Sequence, residues 1–264
     1  MNKNGDDTLL GIRERHDMIL MLLQQNGSIS VTALAEQFKV SEVTIRKDLS
    51  YLEQQKKLYR THGRAILISP YINDRHVNEK EKKNVVEKRA IGAKAASLIS
   101  SGDSIIIASG TTMTFLAREI RPEGRLTVIT ASVPVTSILS QNRNIDVIQL
   151  GGITRSSSIS VVGAFAEEML RHFNCSKLYI GVDGIDTECG LTTTNMMEAT
   201  LNNVMIDAAQ KVIVLADSSK FGRRGFSKIC DLEAVDMIIT DSRVSPLYLE
   251  QLRERGIEVT VVDV

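Results

Sequence analysis

Apolar residues in the first 60 positions recur at helical spacing, whereas beyond position 85 they gather into short unbroken runs. Met18, Ile19, Leu22 and Leu23 form a stripe on one helix face, and the tripeptide QNG ends that helix, with Gly27 as its expected C-cap. A second, shorter helix is predicted over 32–38, with Ala33, Leu34 and Phe38 inward. Lys39-Val40 then makes a tight turn into SEVTIRKDLSYLEQQ, residues 41–55. Ser41 is a good N-cap, because its hydroxyl accepts from a free backbone N–H of the first turn. Ile45, Leu49 and Leu52 follow at i, i+4 and i+7, so one face packs inward and Glu42, Val43, Arg46, Lys47 and Ser50 lie on the other. In the following KKLYRTHGRAILI, the alternating Leu58, Ala65 and Leu67 around His62-Gly63 predict a β-hairpin. Helix, short helix, turn, capped helix and hairpin together describe a winged helix-turn-helix.

The pattern breaks in the stretch ILISPYINDRHVNEKEKKN, where periodicity gives way to charges of alternating sign, the mark of a solvated connector. The expected organisation is a winged helix-turn-helix over 1–68, a linker over 69–84 and a second domain over 85–264. In that domain a helix over 85–100 leads to the apolar run SIIIA (104–108). Further strand candidates are LTVIT (126–130), IDVIQL (145–150), KLYIGV (177–182), KVIVLA (211–216), MIIT (237–240) and EVTVV (258–262), with helical segments between most of them. Strands this apolar are buried on both faces, so the expected fold class is α/β, a mostly parallel sheet covered by helices.

A length of 264 residues fits two domains, and a hydrophobic fraction of 43% supplies a sizeable core. Lys+Arg and Asp+Glu are both 32, so the total charge is uninformative, but residues 41–64 hold six basic and three acidic side chains. That local excess has the sign nucleic-acid binding requires. Cys175, Cys189 and Cys230 have neither disulfide-framework nor metal-ligand spacing, so reduced thiols and no metal or cofactor are expected. The N-terminal residues lack the apolar core of a signal peptide and no run approaches the roughly 18 apolar residues of a membrane span, which points to the cytoplasm and away from a membrane.

In a helix-turn-helix the third helix enters the DNA major groove by its N-terminal part. The candidate DNA contacts are therefore Ser41, Thr44, Arg46 and Lys47 on that helix, with Arg60, His62 and Arg64 on the wing. Asp48 would repel DNA and is read as an orienting partner for a nearby arginine or as a surface residue. In the second domain, ligands of such sheets bind beyond the carboxyl ends of the strands. The turns there read Ser109-Gly110-Thr111-Thr112 before a helix beginning near Met113, Gly151-Gly152 followed by Arg155, Asp183-Gly184, and Asp217-Ser218-Ser219-Lys220. Small residues and hydroxyls at a helix N-terminus cradle anions, while the lysine and carboxylates suit phosphate and sugar hydroxyls. Any one of these turns could be a plain connection; four of them form a constellation.

Arg15, Ile19 and Leu23, followed by Ser41, Thr44, Ile45, Arg46, Lys47, Asp48 and Leu49, resemble the signature of the DeoR family of bacterial transcription regulators. Where that family often has His-Gly-Gly-Ala in the wing, this chain has His62-Gly63-Arg64-Ala65. The second half resembles the family's C-terminal sensor domain, similar to the sugar-phosphate isomerase and CoA-transferase fold. The resemblance implies that Ser109, Gly110, Thr111 and Thr112 hold the phosphate of a sugar phosphate, with Gly151, Gly152, Asp183, Gly184 and Lys220 around it. Many members carry Asp before that loop and Lys-Arg after the position of Glu198; here the residues are Ala108 and Asn202-Asn203. The function implied is a sugar-operon repressor, binding double-stranded operator DNA as a homo-oligomer on repeated half-sites. Two alternatives remain open. One is a phosphosugar isomerase or deaminase, for which Asp183, Glu198 and Lys220 could supply acid–base chemistry, although none of the four histidines follows residue 172. The other is an interaction module, which leaves the SGTT and DSSK turns unexplained.

Overall fold

The computed structural model describes residues 11–26, 28–55, 57–61, 63–67 and 76–264. Gly27, His62 and positions 69–75 of the expected linker lie outside them, as does the side chain of Leu67. The chain divides between residues 70 and 71 into two compact units.

The first unit runs α1 (Ile12–Asn26), β1 (Ser28–Ser30), α2 (Val31–Phe38), α3 (Glu42–Gln54), β2 (Leu58–Thr61) and β3 (Arg64–Leu67). Ser30 caps α2 by accepting from the Ala33 N–H at 3.1 Å. Lys39 ends α2 in the left-handed region at φ 52°, returning its own N–H to the helix carbonyls. Ser41 then caps α3 from the Thr44 N–H at 3.2 Å. The inward faces meet as expected in a core of Ile19, Leu23, Leu34, Phe38, Ile45, Leu49, Leu52, Leu58 and Ala65. One expectation fails: Ala33 is exposed, and Ala35, one place from Leu34 and on the Val31 side, is the buried alanine. β1 was not visible in the sequence, because three residues of SIS carry no period; it exists by pairing with β3, which joins β2 to give an antiparallel sheet in the order β1-β3-β2.

Asp48 lies on the buried side of α3, not among its surface residues. Arg15 donates to it from Nε at 2.6 Å and Nη2 at 3.1 Å, and His16 Nε2 lies 3.0 Å away. The hydrogen bonds and charge of Asp48 raise the guanidinium pKa of Arg15, against the opposing effect of burial. This pair fixes α1 against α3 and so sets which side of α3 faces out.

The second unit runs α4 (Val77–Glu81), α5 (Val85–Ala96), β4 (Ser104–Ile107), α6 (Thr111–Glu119), β5 (Leu126–Thr130), α7 (Val133–Leu139), β6 (Ile145–Gln149), β7 (Ile153–Arg155), β8 (Ser160–Val162), α8 (Ala164–Leu170), β9 (Lys177–Ile180), β10 (Gly184–Asp186), β11 (Gly190–Thr193), α9 (Met196–Asp207), β12 (Val212–Leu215), β13 (Ser227–Cys230), β14 (Met237–Asp241), α10 (Pro246–Glu254) and β15 (Glu258–Val262). Among the described residues, every apolar run named from the sequence becomes a strand of one seven-stranded parallel sheet, ordered β15-β14-β12-β9-β4-β5-β6. Successive residues of β4 serve opposite cores: Ile106 packs with residues of α8, α9 and α10, whereas Ile105 and Ile107 pack with residues of α5, α6 and α7. The result is three layers, α/β/α. Gly92 lets α5 lie directly on α6, since a Cβ there would sit 2.8 Å from the Leu116 backbone nitrogen. The segment expected as linker contains α4, a short helix that the charge pattern concealed.

Replacing Asp48 by Ala leaves Arg15 buried without its anion, and breaking such a pair costs about 3 kcal/mol. Urea unfolding of the Asp48→Ala protein is expected to show the first unit melting at markedly lower denaturant while the second unit's transition is unchanged.

Candidate functional site

Each unit carries its own candidate site. On α3 the outward residues begin where Ser41 and Thr44 are occupied with each other, their hydroxyl oxygens 2.9 Å apart. Val43, Arg46 and Lys47 are exposed. Arg46 reaches back to Glu42 at 3.0 Å, and Glu42 also accepts from Thr32 Oγ1 at 2.9 Å, linking α2 to the start of α3. Both contacts hold the Glu42 carboxyl below its ordinary pKa. An exposed pair one helical turn apart contributes little, so Arg46 can leave it for a phosphate or a base edge. The wing cations are more committed. Arg60 donates to Glu53 from Nε at 2.7 Å and from its backbone N–H at 2.9 Å, and Arg64 donates to Ser28 Oγ at 3.0 Å. Tyr51, given no role from sequence, stacks on His16 with ring centroids 5.1 Å apart.

In the second unit the turn Ser109-Gly110-Thr111-Thr112 follows β4. Gly110 has φ 123°, which glycine alone adopts without strain, and α6 starts at Thr111, slightly earlier than expected. Among the described residues no side chain caps this helix, so its first amides and the positive end of its dipole are open to an anion. Ser109 donates to Glu198 Oε1 at 2.8 Å, and Glu198 Oε2 accepts from Arg155 Nη1 at 2.6 Å. Glu198 is fixed in the first turn of α9, its N–H held by Asn195 Oδ1 at 3.1 Å. Arg155 arrives on the β7–β8 hairpin. Gly151 and Gly152 are exposed and turn the chain into that hairpin; a Cβ on Gly152 would lie 2.6 Å from the Val162 carbonyl oxygen.

Asp183, just beyond β9, accepts from Lys80 at 3.0 Å and from Thr193 Oγ1 at 3.2 Å, with Lys220 at 3.7 Å. Burial alone would raise its pKa, but Lys220 and Lys80 outweigh burial and hold the carboxyl down to about 2. Gly184 is buried against the Arg223 carbonyl, so packing alone accounts for a glycine there. Asp217, beyond β12, accepts from Asn84 Nδ2 at 2.8 Å and from the Ser219 N–H at 3.1 Å. Beneath them the buried Lys88 ammonium donates to the carbonyls of Lys80 at 2.5 Å and Lys83 at 2.6 Å. Burial pushes its pKa down to about 8, with Lys220 and Lys80 adding to that and Asp217 and Glu81 opposing it.

The structure thus joins Ser109, Asp183 and Lys220 with residues the sequence reading did not select: Lys80, Asn84, Lys88 and Thr193. Lys88 did leave a trace. Extending the buried stripe of Ile91 and Ala95 back one turn lands on Glu87 and Lys88, which are buried while Val85 and Val86 are exposed. Within this cluster Glu198 is matched by Arg155 and Glu81 by Arg118, and Lys80, Lys88 and Lys220 gather with Asp183, Asp217 and Asp241, the last accepting from the Ser218 N–H at 2.6 Å. These lysines share the strand ends with the N-terminus of α6. That arrangement binds anions, and its flanking carboxylates accept from hydroxyl groups.

The profile of the DeoR-like helix-turn-helix domain matches residues 15–71, and that of the DeoR C terminal sensor domain matches residues 83–242. An uncharacterized HTH-type transcriptional regulator, YulB of Bacillus subtilis strain 168, is 39% identical over 95% of this chain and 97% of its own. A putative aga operon transcriptional repressor of Escherichia coli O157:H7 is 36% identical over 98% and 97% respectively. A lactose phosphotransferase system repressor of Lactococcus lactis subsp. lactis is 34% identical over 92% and 96%. Among the described residues no helix is long and apolar enough to cross a membrane.

The environment of Lys88 sets an expected titration. Its ammonium should lose its proton near pH 8, not near the ordinary 10.5. An anion placed beside it favours the charged form and moves the midpoint upward. NMR of protein carrying ¹³C at the lysine ε-carbons, with Lys88→Met for assignment, reads this directly; a midpoint at the ordinary value removes Lys88 from this environment.

Proposed function

This chain belongs to the DeoR family of helix-turn-helix transcriptional regulators, and from that premise we propose that it represses a sugar-metabolism operon under the control of a phosphorylated sugar. It is a regulator and not an enzyme, as are the relatives it matches over nearly their whole length. The observation that carries the effector assignment is the convergence of the uncapped α6 N-terminus with the cluster of Lys80, Lys88 and Lys220. The phosphate lies on Ser109, Gly110, Thr111 and Thr112, with Lys88 and Lys220 beside it; Asp183 and Glu198 accept the sugar hydroxyls. Gly151 and Gly152 shape the hairpin that brings Arg155 to Glu198, and Gly184 closes the other side.

On the operator, Arg46 and Lys47 contact base edges and phosphates, with Ser41 and Thr44 at the helix start and Arg60, His62 and Arg64 following the backbone along the wing. Phosphate contacts set the register and base contacts the sequence. One helix-turn-helix makes few contacts, which supports a homo-oligomer on repeated half-sites acting in the cytoplasm. The effector alters repression only by binding the DNA-competent and DNA-incompetent states unequally, and a coupling of about 1–3 kcal/mol is enough.

The test is fluorescence anisotropy on the protein's own promoter at fixed salt, with and without a panel of hexose and pentose monophosphates. Arg46→Ala is expected to weaken operator binding by about tenfold or more; near-normal affinity removes Arg46 from the reading face. Lys220→Ala is expected to bind operator and to lose most of its response to the sugar phosphate. An unchanged response puts the effector elsewhere.

A further inference from the structure

α4 is five residues long, far below the roughly 12–15 at which an isolated helix becomes even marginal in water. Its order therefore depends on anchors, and each of them is an element of the anion site. The Val77 N–H donates to the Ser157 carbonyl at 2.6 Å, on the hairpin that carries Arg155. Lys80 donates to Asp183, and Glu81 accepts from Arg118 of α6, the helix whose N-terminus forms the cradle. Lys88 holds the carbonyls of Lys80 and Lys83. In chain order α4 is also the first described element after the DNA-binding unit.

The geometry points to α4 as a strap over the effector site, with Lys80 as an effector-contacting residue whose grip on the bound anion reports occupancy to the chain segment leading to the DNA-binding unit. This inference rests on the sugar-phosphate reading and adds the part of the protein that senses it. Lys80 is paired with the Asp183 carboxylate, and its side chain keeps 29% of its surface exposed toward solvent. A phosphate on the α6 N-terminus adds negative charge to the cluster that holds Lys80, Lys88 and Lys220. Lys80 is then held by two anions, and the docked strap gains stability relative to the released one. Lys88 and Lys220 are drawn to the same phosphate but stand on α5 and the turn after β12, inside the fold. The Lys220 turn is only three residues long, but Asp217 and Asp241 hold its amides; Lys80 is the one of the three that stands on the helix next in chain order to the DNA-binding unit.

Hydrogen–deuterium exchange on the full-length protein separates the two readings. The probes are inorganic phosphate, ribose 5-phosphate and glucose 6-phosphate, compared on wild type and Lys80→Gln. The effective probe is expected to slow exchange over both 109–114 and 76–84, the strap by about fivefold or more, the lower end of an allosteric coupling. In Lys80→Gln, with the probe raised to a concentration that saturates the variant, the protection over 109–114 should be regained while that over 76–84 stays lost. Protection of 109–114 without any change in the strap of the wild type overturns the inference and leaves the sugar-phosphate site standing. Strap protection that survives in Lys80→Gln also overturns it. If no probe protects 109–114, the sugar-phosphate reading fails and the strap inference fails with it.

Discussion

The second unit depends on one topological constraint: its chain enters the sheet in the middle. β4 is laid down first, β5 and β6 build outward on one side, and the chain then returns to place β9, β12, β14 and β15 on the other. Parallel crossovers keep one hand, so reversing the direction of growth sends the connecting helices to opposite faces. α6, after β4, packs on one face, whereas α9, after β9, packs on the other. The loops at the ends of β4 and β9 must diverge, and the crevice between them is a natural ligand site. Ser109-Gly110-Thr111-Thr112 and Asp183 occupy those two loop positions. The chemistry sits there because no other end-to-end gap in the sheet is opened by the winding itself.

Charge is handled differently in the two units. In the first, the buried charge is closed off: Arg15 and Asp48 satisfy each other, and the exposed cations Arg46 and Lys47 stay on the surface. The second unit also closes some pairs, such as buried Glu87 with Arg243 at 2.5 Å. At the crevice Glu198 is closed by Arg155 and Asp183 by Lys80 and Lys220, whereas Lys88 donates to two backbone carbonyls. Lys88 is buried with its pKa depressed to about 8, which means the fold holds a charge that burial disfavours. Neutral packing would be more favourable at that spot, and an incoming anion removes the disadvantage.

The parts legible in the sequence share a physical reason. The seven sheet strands were readable because a strand covered on both faces must be apolar at every position, and few other contexts tolerate that. α3 was readable because its cap and its period agree, Ser41 at the start and Ile45, Leu49 and Leu52 behind it. The illegible parts depend on partners distant in sequence. β1 needs β3, where Ser28 pairs with Ile66 and Ser30 with Arg64, and Arg64 also donates to Ser28 Oγ, 36 positions away. Asp48 read equally as an arginine's orienting partner or as a surface acid, and only Arg15, 33 positions earlier, decides for the first. Lys80 sits in a run of charges, and only its distance from Asp183, 103 positions on, distinguishes it from a solvated lysine. Gly184 shows the converse: read from the sequence as a ligand residue, it also has a packing reason in the Arg223 carbonyl, which no local pattern discloses.

A regulator built from two compact units must pass its signal through whatever the ligand changes in stability, and a rigid parallel sheet changes little. The cores on both faces of the sheet are close-packed, so a small anion at their edge cannot shift them appreciably. An element near its own folding midpoint responds far more. A five-residue helix held by Lys80, Val77 and Glu81 has few internal hydrogen bonds to lose, and its docked and released states are separated mainly by those anchors. Shifting such an equilibrium requires only that the ligand bind one state better than the other, and the shift cannot exceed that difference in affinity. α4 follows the operator-binding unit in chain order, so a short helix held by its anchors carries the coupling while the packed elements hold the ligand.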